Sequence, residues 1–397
     1  SYPKIIRVIC RCVVALLRSG GGRMAENFSQ KWIAQYNKEV DEYNVKNDGS
    51  TGFKMEKDKG IDFTNCLVDN TKLYDGSNGS KMSIFWRNER YMLKFPPKPK
   101  PSKKLSMSYI NSCFSEYIAC HIVDSLGLSV QETLLGTYND KVVVACKDFT
   151  GNICQFVDFT SVKNSIVSIE NGGWDTTLTD VLSAIDQQKN VNSLELKRHF
   201  WDMFIADALL ANFDRHNGNW GLLKNFATQK YSIAPIFDCG SCLLSQIDET
   251  MMLKTLNNKQ DLNNLTFSPY SALKDDRDKR ITYFNFLTTT EDKDCLNALV
   301  KLYNKIDMAK IHTIIDNTPY ASALHKDFLK VILEKRKEKI IDVAYTRALD
   351  IVRSQENIEL PETNKQTKFP ETPLRPQGFS MQSTTLEPPA PSKRRRR

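Results

Sequence analysis

Three polar residues that follow one another in the sequence could together carry out phosphoryl transfer. Asp214 and Asn219 lie five positions apart after an apolar stretch, and Asp238 follows 24 positions after Asp214. In phosphoryl transfer one aspartate accepts the proton of the attacking hydroxyl, an asparagine five residues on binds magnesium, and a later aspartate bridges the metal to the phosphates. The ordered triple therefore predicts Asp214 as the catalytic base and Asn219 and Asp238 as ligands of Mg²⁺, with ATP as the phosphoryl donor.

The local sequence indicates how these three side chains could converge. Apolar residues recur at helical spacing over residues 194–212, and the Asn, Asp and Gly residues that follow break the helix into a loop. Residues 220–223 and 231–234 have the pattern of two short strands, so Asp214 and Asp238 would flank one hairpin. Asp and Asn are also common in turns for purely local hydrogen bonding, but the ordered triple favours a catalytic site.

A glycine-containing turn lies upstream at residues 74–81, between strand-like segments. Its backbone amides could approach phosphates closely, because glycine has no Cβ atom to hold a ligand away. The same composition also suits an ordinary hairpin loop, and the turn lacks the Walker pattern of Gly-Lys-Ser/Thr. The residues predicted to surround the phosphates are Gly76, Ser77, Asn78, Gly79, Ser80 and Lys81.

Lys94 lies in an apolar strand-like segment, where a positive charge needs a partner if it points inward. We expect residues 82–86 and 91–95 to form a hairpin around residues 87–90, with Lys94 on its second strand. Glu116, in the helical run that follows, is the expected partner, because protein kinases pair a strand lysine with a helix glutamate. An outward-facing lysine is the alternative.

These motifs resemble those of the HipA-like serine/threonine kinases, and most closely the bacterial cell-translocating kinase A group. The similarity extends from near residue 60 to near residue 350. It implies an α+β, two-lobed, protein-kinase-like fold with a small β-rich N-lobe and a larger helical C-lobe. It also implies transfer of the γ-phosphoryl group of ATP, with Mg²⁺, to serine or threonine of a protein substrate. The segments that carry the resemblance are residues 81–85, 91–99, 113–117, 125–128, 213–221 and 236–242.

The resemblance also implies roles for single residues. Lys94 would hold the phosphates, and His216 lies where the family's catalytic loop carries a histidine near the nucleotide. The continuous apolar run at residues 142–146 is typical of a buried strand and would lead into the hinge between the lobes. The hinge residues expected to contact the nucleotide are Lys147, Asp148 and Phe149.

Autophosphorylation is a further property that the resemblance implies. HipA phosphorylates a serine of its own phosphate loop just ahead of the glycines, whereas Tyr74 and Asp75 occupy that stretch here. The site expected in this chain is therefore Ser77 or Ser80.

Composition predicts four segments. The 397 residues, of which 41% are hydrophobic, suffice for a large core divided between two lobes. We expect an N-terminal extension with one amphipathic helix at residues 1–51, a small lobe at 52–147 and a large lobe at 148–355. Residues 356–397 are rich in proline and too poor in large apolar side chains to fold. Helices at residues 292–303, 308–316 and 322–354 would close the base of the large lobe.

The net charge of +8 belongs to the two ends of the chain. Residues 1–23 contain five basic residues and no acid, and residues 356–397 contain eight basic residues against five glutamates. The folded body is therefore close to neutral, which argues against nucleic-acid binding by the body. The basic run from Lys393 to Arg397 predicts a site for a nuclear-import receptor, and a nucleic-acid patch or a merely solubilising end are the alternatives.

Membrane and redox features of the sequence bear on where the protein acts. No stretch has the run of about 20 apolar residues that a membrane helix needs, so we expect no membrane span. Ten scattered cysteines favour folding in a reducing compartment, and the Cys239-x-x-Cys242 motif lacks the second pair that zinc would require. These features suit the bacterial cytoplasm, and the resemblance implies secretion into the cytoplasm and nucleus of a host cell.

Two other functions are open at this point. The sequence Asp-Arg-His-x-x-Asn at residues 214–219 is also similar to the catalytic loop of phosphoinositide kinases, so a lipid or small molecule could be the acceptor. Label found on extracted lipid rather than on protein would indicate this. A nucleotide-binding regulator, such as a toxin held by a DNA-binding antitoxin, would need no catalysis. Its effect would persist in an Asp214→Ala variant.

Overall fold

The computed structural model describes residues 61–74, 80–96, 111–166 and 175–358, with side chains as far as residue 353. The N-terminal extension, the centre of the glycine turn and the basic tail lie outside these residues. The expectations for the amphipathic helix, for Ser77 and for Lys393 to Arg397 therefore concern parts of the chain that the structure does not describe. Among the described helices, none combines the length and apolar character needed to cross a bilayer.

A six-stranded sheet forms the small lobe. Its strand order is β1-β5-β6-β4-β3-β2, and all neighbours are antiparallel except β1 and β5. Alternate residues of the strands pack into a core that includes Ile84, Tyr91 and Leu93. The strands are β1 (Ile61–Asp62), β2 (Leu67–Val68), β3 (Lys81–Trp86), β4 (Glu89–Lys94), β5 (Thr133–Tyr138) and β6 (Lys141–Lys147).

The turn between β3 and β4 is shorter than the sequence suggests. We expected a loop over residues 87–90, but the strands pair as far as Trp86 and Glu89, so only Arg87 and Asn88 remain in the turn. Both residues take positive φ, at 48° and 65°, which is the backbone geometry that lets a two-residue turn follow the twist of its strands. Lys94 consequently lies directly opposite Lys81 in the ladder.

One helix, α1 (Ser112–Ser125), lies between the sheet and the large lobe. Its residue Cys113 packs with Leu135, Val144 and Cys146 of the sheet, whereas Ile118 and Ile122 belong to the core of the large lobe. The helix therefore has two apolar faces, one for each lobe, which explains why it is largely buried. Glu116 lies one turn after Cys113 and so faces the sheet.

The large lobe is helical and is built around a central helix, α4 (Ser193–Leu210). The Asn192 side chain caps its start by accepting a hydrogen bond from the Glu195 amide, and Ala211 ends it in a left-handed conformation with φ of 57°. The other helices are α2 (Phe159–Asn164), α3 (Leu178–Gln187), α5 (Glu249–Leu256), α6 (Lys259–Thr266), α7 (Tyr283–Thr289), α8 (Lys293–Tyr303), α9 (Met308–Asp316), α10 (Ala323–Arg336) and α11 (Asp342–Ile358).

A second, three-stranded sheet supports the loops of the site. It consists of β7 (Cys154–Asp158), β8 (Gly221–Asn225) and β9 (Tyr231–Ile233), all antiparallel. The two strands expected near residues 220–223 and 231–234 are thus present, with ends shifted by one or two residues. Gly221 permits the close packing of β7 on β8, because a Cβ atom there would lie 2.3 Å from the Val157 carbonyl oxygen.

The helix expected over residues 322–354 is interrupted. A single π-helical stretch, Lys337–Ile341, separates α10 from α11. It begins directly after Arg336, whose side chain is fully buried and donates hydrogen bonds only to main-chain carbonyls. The wider turn rotates the helix so that Arg336 and the pair Ile340 and Ile341 all face the core. The acceptors are the carbonyl oxygens of Ala208 (2.5 Å), Leu209 (3.1 Å), Thr266 (2.5 Å) and Ser268 (2.7 Å).

Replacing Arg336 by Met should destabilise the large lobe by about 2 to 5 kcal/mol, because three buried carbonyl groups and one partly buried carbonyl group would lose their donor. Chemical denaturation followed by tryptophan fluorescence would measure the loss. Arg347→Met is the matched control, since Arg347 also donates to two carbonyls, of Thr289 and Thr290, but is partly exposed. Equal midpoints for Arg336→Met and the wild type would contradict the role given to this guanidinium.

Candidate active site

Lys94 is the point at which the sheet, helix α1 and the loop after β9 meet. It shares with Met92 the face of β4 that packs on the helix. Its Nζ lies 2.8 Å from Oε2 of Glu116 and 2.7 Å from Oδ1 of Asp238. The predicted Lys94–Glu116 pair is therefore present. Burial opposes the charge on Lys94, but the Asp238 and Glu116 carboxylates outweigh it and raise the pKa of the lysine well above its usual value.

Glu116 links the small lobe to the backbone of the loop that carries Asp238. Its side chain is only 1% exposed, and its second oxygen, Oε1, accepts a hydrogen bond of 2.9 Å from the Cys239 amide. A side chain on Gly240 would place its Cβ 3.0 Å from Oε2, so glycine leaves the carboxylate its space. Burial raises the pKa of Glu116, and the Lys94 ammonium counters that effect. Both oxygens of Glu116 are thus engaged.

Asp238 has a strained backbone that places its carboxylate at Lys94. Its φ of 55° lies in the left-handed region, which is uncommon for residues other than glycine and clusters at functional sites. Burial in the cleft opposes ionisation, but the charge of Lys94 and its hydrogen bond hold the pKa of Asp238 at about 2. The Asp238 side chain is 40% exposed, so an ionised carboxylate is accessible from the cleft.

Asp214 and Asn219 lie in one short loop that is tied by its own hydrogen bonds. Asn219 Nδ2 donates to the Asp214 carbonyl oxygen at 2.9 Å, which leaves the amide oxygen of Asn219 as its ligating atom. His216 Nδ1 accepts from the Gly218 amide at 3.0 Å and so caps the 3-10 turn Asn217–Asn219. Burial raises the pKa of Asp214, and the negative charge of Asp238 adds to the rise.

Arg215 is a residue of this site that the sequence prediction missed. Its guanidinium is buried and pairs with Asp207 of α4, with Nε 3.0 Å from Oδ2. It also donates to the main-chain oxygens of Asn219, at 2.9 Å, and of Phe237, and its Nη2 lies 3.6 Å from the Cys239 sulfur. One side chain therefore holds the Asp214 loop and the Asp238 loop together. An aspartate inside the apolar α4 pattern was the available signal, because a buried carboxylate requires a cation.

Two further hydrogen bonds, also not expected from the sequence, fix the start of the Asp214 loop. Asn212 Nδ2 donates to Asp207 Oδ1 at 2.8 Å, and the Tyr283 hydroxyl donates to the Asn212 carbonyl oxygen at 2.5 Å. Asn212 Oδ1 in turn accepts from the Asp214 amide at 3.1 Å. The backbone leading to Asp214 is therefore held on both sides.

The remaining predicted residues lie at different distances from this centre. Lys81 is next to Lys94 in the ladder, and burial together with the Lys94 charge lowers its pKa. Ser80 precedes it and is exposed. Of the other phosphate-loop residues, Gly76, Ser77, Asn78 and Gly79 lie outside the described residues.

The hinge segment follows β6, as expected, but two of its side chains serve the small lobe. Lys147 pairs with Glu89 at 2.6 Å and with Glu132 at 3.2 Å. Asp148 Oδ2 accepts from the Tyr74 hydroxyl at 3.3 Å and lies 3.6 Å from Nη1 of Arg90. Phe149 differs, because its ring lies 5.3 Å from that of Phe237, next to Asp238. Of the three, Phe149 is therefore the one with a ring contact beside Asp238, and the nucleotide contacts of Lys147 and Asp148 stay predictions.

The donor set suits a magnesium ion that is carried by a nucleotide. Mg²⁺ is typically bound through one or two protein oxygens, with phosphates and water completing the octahedron. An ionised Asp238 and the amide oxygen of Asn219 are ligands of this kind, and the ammonium groups of Lys94 and Lys81 suit phosphate oxygens. Over the described ranges, no group of three or more His, Cys, Asp or Glu side chains is placed to hold a metal by itself.

A small, largely antiparallel sheet with a buried lysine–glutamate pair, joined to a helical lobe that carries the aspartate loops, defines the class of two-lobed, protein-kinase-like folds. The chain belongs to the HipA-like C-terminal domain family, whose model matches residues 75–316. The family predicted from the sequence motifs is thereby confirmed.

Known proteins agree with this assignment. The chain is 58% identical over 292 residues to the serine/threonine-protein kinase CtkA of Helicobacter pylori strain J99, covering 73% of this chain and 89% of that protein. The crystal structure of a Helicobacter pylori proinflammatory kinase CtkA matches with a TM-score of 0.71 at 57% identity, covering 74% of this chain and 98% of that chain. HipA of Shewanella oneidensis MR-1, in a toxin–antitoxin complex with HipB and operator DNA, matches at a TM-score of 0.44 and 14% identity over 70% of each chain.

Replacing Lys94 by Met should leave Glu116 buried without its cation and lower the free energy of unfolding by about 1 to 3 kcal/mol. Adding Glu116→Gln should recover most of the loss, because a neutral amide oxygen can still accept from the Cys239 amide. Denaturation midpoints of the two variants would test this. Lys335→Met, which breaks the exposed pair with Glu338, is the control and should cost less than about 1 kcal/mol. If the double variant were no more stable than Lys94→Met, the unpaired charge of Glu116 would not be the cause of the lost stability.

Proposed function

We propose that this protein is an ATP- and Mg²⁺-dependent serine/threonine protein kinase. The observation that carries the proposal is the convergence on Lys94 of a helix glutamate and a loop aspartate, next to the loop of Asp214 and Asn219. At 58% identity over most of both chains, the catalytic class of the Helicobacter pylori kinase extends to this protein, which is therefore a phosphotransferase.

Each residue of the site has its own proposed role in the reaction. Asp214 is the proposed base, because its pKa is raised by burial and by Asp238, which brings it closer to the pH at which a base works efficiently. Lys94 and Lys81 are proposed to bind phosphate oxygens of ATP. Asn219 and Asp238 are proposed to hold Mg²⁺, which when bound would neutralise the charge that develops on the transferred group.

The backbone ties explain why such a site would be rigid before substrate arrives. Arg215 connects the two loops through their main-chain oxygens, so Asp214 and Asp238 cannot separate without breaking a hydrogen bond of this buried guanidinium. Preorganised charges of this kind stabilise a transition state without a further reorganisation cost. We therefore assign Arg215 a positioning role in the proposed reaction.

Three finer features also belong to this proposal. Ser77 or Ser80 is the proposed site of autophosphorylation, and Ser80 is exposed at the edge of β3. The basic run from Lys393 to Arg397 is the proposed nuclear-import signal. Secretion from a bacterium into a host cell would bring the kinase to substrates there. The support for secretion is the motif resemblance described above.

Replacing Asp214 by Asn should preserve ATP binding and lower the rate of phosphoryl transfer to protein about 100-fold or more, because a positioned base is lost. Asp238→Asn should impair both binding and transfer. Calorimetry with an ATP analogue and radiolabel transfer to a general serine/threonine acceptor protein would separate the two effects. Asp327→Asn, an exposed aspartate of α10, is the control and should behave as wild type. Wild-type rates in Asp214→Asn, or label on lipid instead of protein, would contradict the proposal.

A further inference from the structure

A cavity of about 620 Å³ opens in the large lobe next to the catalytic loop. This volume lies within the range of about 300 to 1,000 Å³ that is usual for ligand sites. Phe213, the residue that immediately precedes Asp214, forms part of its lining. The cavity therefore adjoins the loop that carries the proposed base.

Two side chains fix the walls of this cavity to the catalytic loop. The residues on either side of Tyr283 line the cavity, and Tyr283 itself donates to the Asn212 carbonyl oxygen at 2.5 Å. Ser268 also lines the cavity, and its carbonyl oxygen accepts from the buried Arg336 at 2.7 Å. Arg336 also holds the carboxyl end of α4, so the cavity and Asp214 share one rigid support.

The lining combines aromatic surface with one positive charge. Phe267, Tyr270 and Phe284 contribute rings, and Asn264 and Asn285 contribute amides. Arg280 is the one charged side chain among the described residues that line the cavity. An aromatic wall with a cationic edge suits an extended peptide that carries an apolar side chain and, nearby, an anionic one.

Arg280 has no salt bridge with any residue in the described part of the chain. The acidic side chains of its own hairpin are engaged elsewhere: Asp275 accepts from the amides of Arg277 and Lys279, Asp276 accepts from Thr179, and Asp278 pairs with Lys274 at 2.5 Å. Arg280 is nevertheless near enough to Asp214 for its charge to oppose the effect of burial on that pKa. A guanidinium without a salt bridge in the described part of the chain thus lines the cavity, within electrostatic reach of the proposed base.

We propose that the cavity is the acceptor-peptide site, and that Arg280 selects an aspartate or glutamate close to the phosphorylated serine or threonine. The inference rests on the proposed kinase function and names its substrate class. A carboxylate at Arg280 would gain a charge-assisted hydrogen bond and position the acceptor hydroxyl at Asp214. A neighbouring apolar side chain of the peptide would pack on the aromatic wall.

The test uses the full-length protein, ATP, Mg²⁺ and a peptide library in which each position flanking a serine or threonine is acidic, neutral or basic. The measured quantity is the ratio of kcat/KM for acidic over basic peptides within each variant. We expect the wild type to favour acid at one flanking position about 10-fold or more, which corresponds to about 1.4 kcal/mol. Arg280→Glu should invert the preference and Arg280→Gln should abolish it. Arg277→Glu, an exposed arginine on the same hairpin, should retain it.

The outcomes separate this inference from the function on which it rests. A protein that binds ATP but phosphorylates no peptide, or labels lipid instead, would overturn the kinase proposal and the inference together. Phosphorylation without an acidic preference, or a preference that Arg280→Glu leaves unchanged, would overturn the inference alone.

Discussion

The charge on Lys94 is the feature on which the arrangement of the site depends. Glu116 and Asp238 are two carboxylates within hydrogen-bonding distance of one ammonium group, and without it they would repel each other in a poorly solvated cleft. Because Lys94 is on a strand, Glu116 on a helix and Asp238 on a loop of the other lobe, this one cation sets the positions of three elements. The left-handed backbone of Asp238 is stable in this setting because its carboxylate gains the lysine.

A second buried cation, Arg215, fixes the positions of the catalytic loops relative to the large lobe. Arg215 joins Asp207 of the central helix to the main-chain oxygens of both loops, and Glu116 joins the Asp238 loop to the small lobe. The two cations therefore form a connected set with the small-lobe sheet at one end and the core of the large lobe at the other. Arg336 is a third buried cation and holds the wall of the cavity next to Phe213. The acceptors of its guanidinium are main-chain carbonyl oxygens alone.

The parts of the site that the sequence predicts are those with a chemical reason to stand at a fixed spacing. Asp214 and Asn219 share a loop, and a lysine inside an apolar strand implied an inward partner, which is Glu116. Arg215 was missed although its partner Asp207, an acid inside the apolar helix pattern, was a signal for it. Arg336 left no such signal, because its acceptors are main-chain carbonyls. The interruption of the last helix is equally invisible, since its residues all suit an α-helix and the π turn arises from packing around Arg336. The sequence predicted where the hinge lies along the chain. It could not predict the direction of the hinge side chains, because that depends on partners from distant strands.

The central claim is that Lys94, Asn219 and Asp238 form one binding site for a nucleotide and its metal. Crystals grown with a non-hydrolysable ATP analogue and Mn²⁺ in place of Mg²⁺ would test it directly through the anomalous signal of the manganese. The account predicts a single principal peak at about 2 to 2.3 Å from oxygens of Asn219 and Asp238, with the Lys94 ammonium on a phosphate oxygen. Manganese bound to other residues, or a nucleotide whose phosphates do not contact Lys94, would contradict it.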